Sequence, residues 1–310
     1  MILSCGESLI DFVPETDVTG RKLYSPCPGG SPFNTAIAAA RLGVPTAFFS
    51  KISTDFFGDI LFERLKPNRV GTDYVLRGPE PTTLAFVQRD EAGNARYAFY
   101  SEGSADRTIA VAELPHNLPR EISCIQVGSV ALILEPVASS LERFVERESH
   151  KRVIAFDPNV RPTVMENESA YRARIQRILR HTGILKISDE DLEWLFPKQE
   201  PRTTARQLAD DGIPFVVLTR GKDGATAFGP GFTVEQPSMP VPGGVADTVG
   251  AGDSFHGGLL AAMHHADVLS PAGIRGINES MAQKVLEFAS RVAAITCSRP
   301  GADPPWDKEM

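Results

Sequence analysis

The chain has no excess of positive charge: 39 aspartates and glutamates outnumber 32 lysines and arginines, for a net charge of −7. No basic field is available for nucleic acid or an anionic membrane surface, so an anionic ligand must be held by local groups. Cysteine is sparse too. Cys5, Cys27, Cys124 and Cys297 lie far apart and form no CxxC pair. Zinc knuckles and dithiol redox motifs are thereby excluded, and buried or idle thiols are expected in place of a disulfide framework. Long hydrophobic runs are missing as well. The most apolar stretch, IQVGSVALIL (125–134), falls well short of the ~20 residues that span a bilayer. The first residues, MILSCGESLIDFVP, carry Glu7 and Asp11 without a basic flank and read as a strand, not a targeting segment. A soluble cytoplasmic protein is the expectation.

Strand-like and helix-like segments alternate through most of the 310 residues. TAFFSKI (46–52), CIQVGSV (124–130), RVIAFDPN (152–159), GILKIS (183–188) and PFVVLTRG (214–221) are short apolar runs rich in β-branched residues. Between them lie helix-spaced segments such as FGDILFERL (57–65), VASSLERFVERESHK (137–151) and YRARIQRILRHT (171–182). Continuous apolar strands separated by amphipathic helices predict a doubly wound α/β domain, its mostly parallel sheet covered by helices on both faces. Two stretches break the rhythm, at about 11–28 and 72–103, where consecutive strands appear and DEAGN (90–94) reads as a hairpin turn. They predict a small antiparallel β lid on a single domain spanning 1–310, able to cover a site or pair with a second copy.

The stretch DTVGAGDSFHGG (247–258) carries the chemistry. Phe255, Leu259 and Met263 recur at helical spacing, so a helix is expected to begin near Asp253, with Gly250, Ala251 and Gly252 as the turn before it. Unpaired N–H groups and the positive end of the helix dipole make such a turn an anion site. Asp253 at the same end can accept a proton from an alcohol, which together with a bound phosphate suits phosphoryl transfer. Taken in isolation the motif also reads as an N-cap aspartate after a glycine turn. A Walker loop is absent, and Phe255 occupies the third glycine position of a GxGxxG.

DTVGAGDSF, together with PGGSPFNTAIAAARLG (28–43), closely resembles the two signatures of the ribokinase-like (PfkB) carbohydrate kinases. The resemblance runs from GESLID (6–11) to CSRPGADPPW (297–306). It implies that Asp253 is the catalytic base and that Gly250, Ala251 and Gly252 form the anion hole for the transferring phosphate. Asp11, Gly29, Gly30 and Asn34 would hold the sugar, with Arg161 of DPNVR (157–161) reaching toward it. Asn159, together with Thr219, Gly221 and Gly224 of LTRGKDGA (218–225), would approach ATP. Mg²⁺ is the implied metal, and relatives often hold a monovalent cation such as K⁺, here near Asp247 and Gly301.

The chain departs from the family in places. Where relatives carry NxxE, this sequence has SDED (188–191), which puts Ser188 and Asp191 at the phosphate and metal positions. Both are oxygen donors suited to magnesium, most simply through water. Ser290 stands where relatives often have an asparagine near adenine, and Ser31 replaces the lysine that reaches ribose in ribokinases. GGSPFN and the tail look most like fructokinases, and Glu102 in the lid would repel an acidic sugar. Fructose phosphorylated on a primary hydroxyl is therefore expected. A 2-keto-3-deoxygluconate kinase, or another PfkB sugar or nucleoside kinase, is the alternative. A non-catalytic sugar sensor on the same scaffold and a nicotinamide oxidoreductase are the readings from other classes, and the latter lacks a GxGxxG after its first strand.

Overall fold

The computed structural model describes residues 1–89 and 95–310, so the turn expected at 90–94 lies outside the described residues. The chain opens with β1 (Ile2–Cys5) and makes a first excursion through β2 (Leu9–Thr16) and β3 (Lys22–Gly29) before α1 (Ser31–Arg41). β4 (Thr46–Ser53), α2 (Phe56–Leu65), β5 (Val70–Gly71) and β6 (Val75–Gly78) follow, and a second excursion supplies β7 (Thr83–Arg89) and β8 (Ala95–Tyr100). Strand and helix then alternate as the apolar runs predict: β9 (Cys124–Gly128), α3 (Val137–Glu148), β10 (Val153–Asp157), α4 (Glu168–Leu179), β11 (Ile184–Ser188), α5 (Asp189–Leu195), α6 (Pro201–Asp210) and β12 (Phe215–Thr219). The hairpin of β13 (Ala225–Gly229) and β14 (Phe232–Gln236) precedes α7 (Ala251–His265), α8 (Pro271–Arg275) and α9 (Glu279–Cys297).

Among the described residues the large sheet runs β14-β13-β12-β11-β10-β9-β1-β4-β5, with β6 also paired to β4. Its pairs are parallel from β12 to β5 and antiparallel only in the hairpin edge. Alternation along each strand feeds two cores. Ile125, Val127, Ile154 and Phe156 pack with residues of α3, α4, α5 and α6, while Cys124, Val153, Ala155 and Ile184 pack with residues of α1, α7 and α9. Full burial of one such aliphatic or aromatic side chain contributes about 1.5–3 kcal/mol. A surface pair such as Arg77–Asp59 (2.6 Å) contributes about 0–1 kcal/mol, so the layers are set by the cores. Ser4, Gln126, Asp157 and Lys186 interrupt the apolar pattern on the strands of the α7 side, and all four are buried.

The small sheet has the order β3-β2-β7-β8. It is antiparallel within each excursion, and its central pair β2–β7 runs parallel because the two strands come from separate departures of the chain. The strand at 75–78, expected among the lid residues, instead pairs with β4 of the large sheet. Asp11 and Phe12 alternate on β2 and so face opposite sides of this sheet.

The C-terminal tail folds back on the body. Arg41 bonds Asp303 and the Pro304 carbonyl at 2.6 and 2.5 Å. The Trp306 ring lies 5.0 Å from the Arg41 guanidinium and 4.9 Å from that of Arg69. These contacts bring Gly301 and Ala302 against the turn that precedes α7.

Candidate active site

In an open α/β sheet, ligands collect beyond the carboxyl ends of the parallel strands, and most of the singled-out residues gather there. Asp157 ends β10 beside Gly128 of β9, and Ser188 of β11 is in register with Thr219 of β12. α7 points its N-terminus at this crest. The helix begins at Ala251, two residues before the expected start, because Ala251 and Gly252 already form its first turn. Gly250 is the N-cap, at φ 73°. A side chain there would be strained, and its Cβ would lie 2.4 Å from the Ala302 Cβ of the tail.

Asp253 sits in that first turn, 9% exposed. Both of its carboxylate oxygens are held from α1: Ser31 Oγ donates to Oδ1 at 2.7 Å and Asn34 Nδ2 donates to Oδ2 at 2.9 Å. Burial pushes the acid up from its usual range, the two hydrogen bonds oppose that, Asp157 raises it further and Lys186 lowers it. Ser31, at the position of the ribokinase lysine, thus faces the base. α1 is aimed by Gly29 and Gly30 at the end of β3, and a Cβ on Gly29 would meet Asp11 Oδ2 at 2.2 Å. Asp11 is pushed up to about 7 by burial and by the nearby Asp253, against the pull of Arg161. The small sheet, α1 and the DPNVR turn therefore bring Asp11, Ser31, Asn34 and Arg161 together around Asp253.

The pattern reading missed Lys186. Its ammonium is 2.9 Å from Asp157 Oδ2 and buried, and a Cβ placed on Gly252 would lie 3.3 Å from its Nζ. Burial works against the charge, but Asp157, aided by Asp191 and Asp253, holds the lysine above its ordinary value. A fixed cation therefore stands beside the glycine turn, where it adds to the helix dipole. The signal was present in the sequence: a lysine inside an apolar strand, in ILKIS, is almost never buried unless it is paired. His256 was also passed over. It is fully buried beside Asp157 and stays neutral, since burial and then Lys186 push it down to about 3.

Ser188 and Asp191 also hold the local backbone in place. Ser188 caps α5 by accepting from the Asp191 N–H at 3.0 Å. Asp191 Oδ1 accepts from the Val160 N–H at 2.8 Å and so ties α5 to the DPNVR turn. Among the described residues no group of three acidic, histidine or cysteine side chains could hold a metal. A single carboxylate ligand such as Asp191 fits magnesium, which keeps several waters and is completed by substrate phosphates. Asn159 takes φ 40° within its turn, and Arg161 Nη1 donates to the Val160 carbonyl at 3.0 Å. Gly221 and Gly224 flank the short β12–β13 connection, both at positive φ. Ser290 is buried on α9, and no hydrogen bond among the described residues joins it to the other nucleotide candidates. Asp247 Oδ2 accepts from the Gly301 N–H at 3.0 Å, so those two residues do meet. Glu102 is 2.9 Å from Arg107 and its side chain is 91% exposed. The expected repulsion of an acidic sugar therefore fails, because the charge is paired and solvated.

Comparison with known proteins agrees with this fold. The chain is 40% identical to a fructokinase of Rhizobium leguminosarum bv. trifolii over 90% of its own length and 84% of the relative's. It superposes on an ATP-bound fructokinase of Xylella fastidiosa with a TM-score of 0.88 at 26% identity, covering 97% of this chain and 93% of that one. A fructokinase double mutant of Vibrio cholerae O395, in fructose-, ADP- and potassium-bound form, gives 0.85 at 28% identity over 97% and 93%. The pfkB family carbohydrate kinase pattern matches residues 1–309, and the chain belongs to that family of carbohydrate kinases.

Proposed function

We propose that this carbohydrate kinase is a fructokinase that transfers the γ-phosphoryl group of ATP to a primary hydroxyl of fructose. The observation that carries the reading is Asp253, held at both oxygens in the first turn of α7 with Lys186 beside the same turn. The fructokinases among the relatives supply the sugar. Asp11, Gly29, Gly30, Asn34 and Arg161 would form the sugar side. Asn159, Ser188, Thr219, Gly221, Gly224 and Ser290 would form the nucleotide side. The backbone N–H groups of the first turn and the Lys186 ammonium stabilise charge on the transferring group, and Asp253 takes the proton of the attacking alcohol. Mg²⁺ near Asp191 would neutralise phosphate charge, and K⁺ beside Asp247 and Gly301 would strengthen the anion hole. The small sheet would act as a lid, and its far face offers a route to a homodimer. There Phe12 stacks on Phe86 at 4.6 Å, with Tyr24 and Tyr100 50% and 64% exposed. The cytoplasm is the natural compartment for such a kinase.

The test is ATP-coupled turnover on fructose, ribose, tagatose, ketodeoxygluconate and nucleosides, compared by kcat/KM. Fructose is expected to lead. A nucleoside or ketodeoxygluconate ahead of it would replace the sugar assignment, and no ADP release on any acceptor would favour a non-catalytic sensor.

Acid should weaken sugar binding. Asp11, with its pKa at about 7, is an acceptor for sugar hydroxyls only when ionised. KM for the sugar should therefore rise as pH falls below about 7, approaching tenfold per unit well below it. Stability responds in the opposite sense. The folded pKa lies above the unfolded value, so Asp11 lowers stability as pH rises from about 4 to 7 and adds nothing further above that. In Asp11→Asn the acid rise in KM should disappear, and an unchanged KM–pH curve would remove Asp11 from the sugar.

A further inference from the structure

Ser31, which stands where ribokinases carry a lysine, turns its side chain toward Asp253. It is the first residue of α1 and 7% exposed. Its N–H donates to Glu7 Oε1 at 3.2 Å, and the next residue, Pro32, accepts at its carbonyl from Ser4 Oγ at 2.7 Å. Glu7 is fixed in turn by the Ala131 N–H at 3.0 Å. The backbone of Ser31 is thus clamped from β1, from the β1–β2 connection and from the residues after β9. Its hydroxyl is committed to Asp253 Oδ1 at 2.7 Å.

We propose that Ser31 is a positioning residue for the catalytic base, its hydroxyl keeping the Asp253 carboxylate ionised and turned toward the acceptor alcohol. The inference rests on the kinase reading above. Asp253 must be ionised to accept a proton, and its surroundings oppose that state. Asp11 faces it from β2, Asp157 from β10, and Glu7 lies behind Ser31. Lys186 of β11 is the cation that acts on it directly, while Arg161 acts on Asp11. From α1 itself only neutral donors arrive, Ser31 and Asn34. Asn34 alone would leave the carboxylate free to swing about Oδ2, whereas a second donor on Oδ1 fixes its plane. A hydrogen bond to a charged group is among the stronger kinds, so this one favours the ionised carboxylate over the neutral acid.

The test is the pH dependence of kcat in Ser31→Ala, Ser31→Thr and Ser31→Cys, with thermal unfolding measured in parallel. In Ser31→Ala the acid limb should move up by about one pH unit, so that kcat below the limb falls about tenfold. KM for the sugar should stay within about twofold, because the lost oxygen faces the base. Ser31→Thr keeps a hydroxyl and should restore the wild-type limb. Ser31→Cys keeps the size with a weaker donor and should fall between the two. If the alanine variant does not fold, the cysteine and threonine pair decides. An acid limb unmoved in Ala or Cys, or a raised sugar KM with an unchanged kcat profile, overturns the proposal. Failure of the kinase reading would look different, since the wild type would then show no turnover with any sugar.

Discussion

Asp253→Asn is expected to lower kcat by about 10²–10⁴-fold, the range for a lost general base, while sugar affinity stays near that of the wild type. The substitution keeps the shape of the side chain and its place in the first turn of α7. Ser31 can still donate to the amide oxygen, but the amide nitrogen then faces Asn34 Nδ2, and Asn34 must flip to offer its oxygen. The site therefore survives without the proton acceptor. Stability supplies the control. Asp253 is a buried acid whose neighbours include Asp11 and Asp157, so removing its charge relieves repulsion. Melting temperature should be equal or higher. Because Asp253 helps to hold Asp11 up near 7, the acid rise in sugar KM should also move to lower pH in this variant. Near-normal kcat would remove Asp253 from the role of base. Lost activity with lost stability would mean that the fold had been damaged instead.

What could be read from the sequence divides along physical lines. The alternating strands and helices were legible because burial on both faces of a parallel sheet leaves continuous apolar runs, as in CIQVG and VIAFD. GAGD and GGSPFN were legible because close backbone approach demands small residues at fixed spacing; within the protein, a side chain at Gly29 or Gly250 would meet Asp11 or Ala302. Contacts between distant segments were not legible. Ser31 and Asp253 are 222 residues apart, and nothing local says which way a serine at a helix start will turn. Glu102 and Arg107 are only five residues apart, yet their pairing depends on how the loop between them turns. The strand at 75–78 looked like its neighbours in the lid, yet its pairing with β4 is a matter of where the chain turns back. Helix α7 starts early because Ala251 and Gly252 take helical geometry, a choice that glycine-rich sequence leaves open.

Lys186→Met should lower kcat by about 10²–10³-fold, the loss expected when one preorganised group is removed from a developing anion. Methionine fills much of the same volume without the charge, so the packing between β11 and α7 is largely kept. Stability will fall nonetheless. Asp157 lies 2.9 Å from the lysine and is 1% exposed, and a buried acid stripped of its partner costs about 3–5 kcal/mol. Lost turnover in the single variant is therefore ambiguous between chemistry and folding. The double variant Asp157→Asn/Lys186→Met separates them. Removing both charges of a buried pair is often close to neutral for stability, so denaturant midpoints should recover most of the loss. Turnover should not recover, because no cation then stands beside Gly252. If the double variant regains both stability and kcat, the lysine serves only to balance Asp157, and the anion site is made by the helix N-terminus alone.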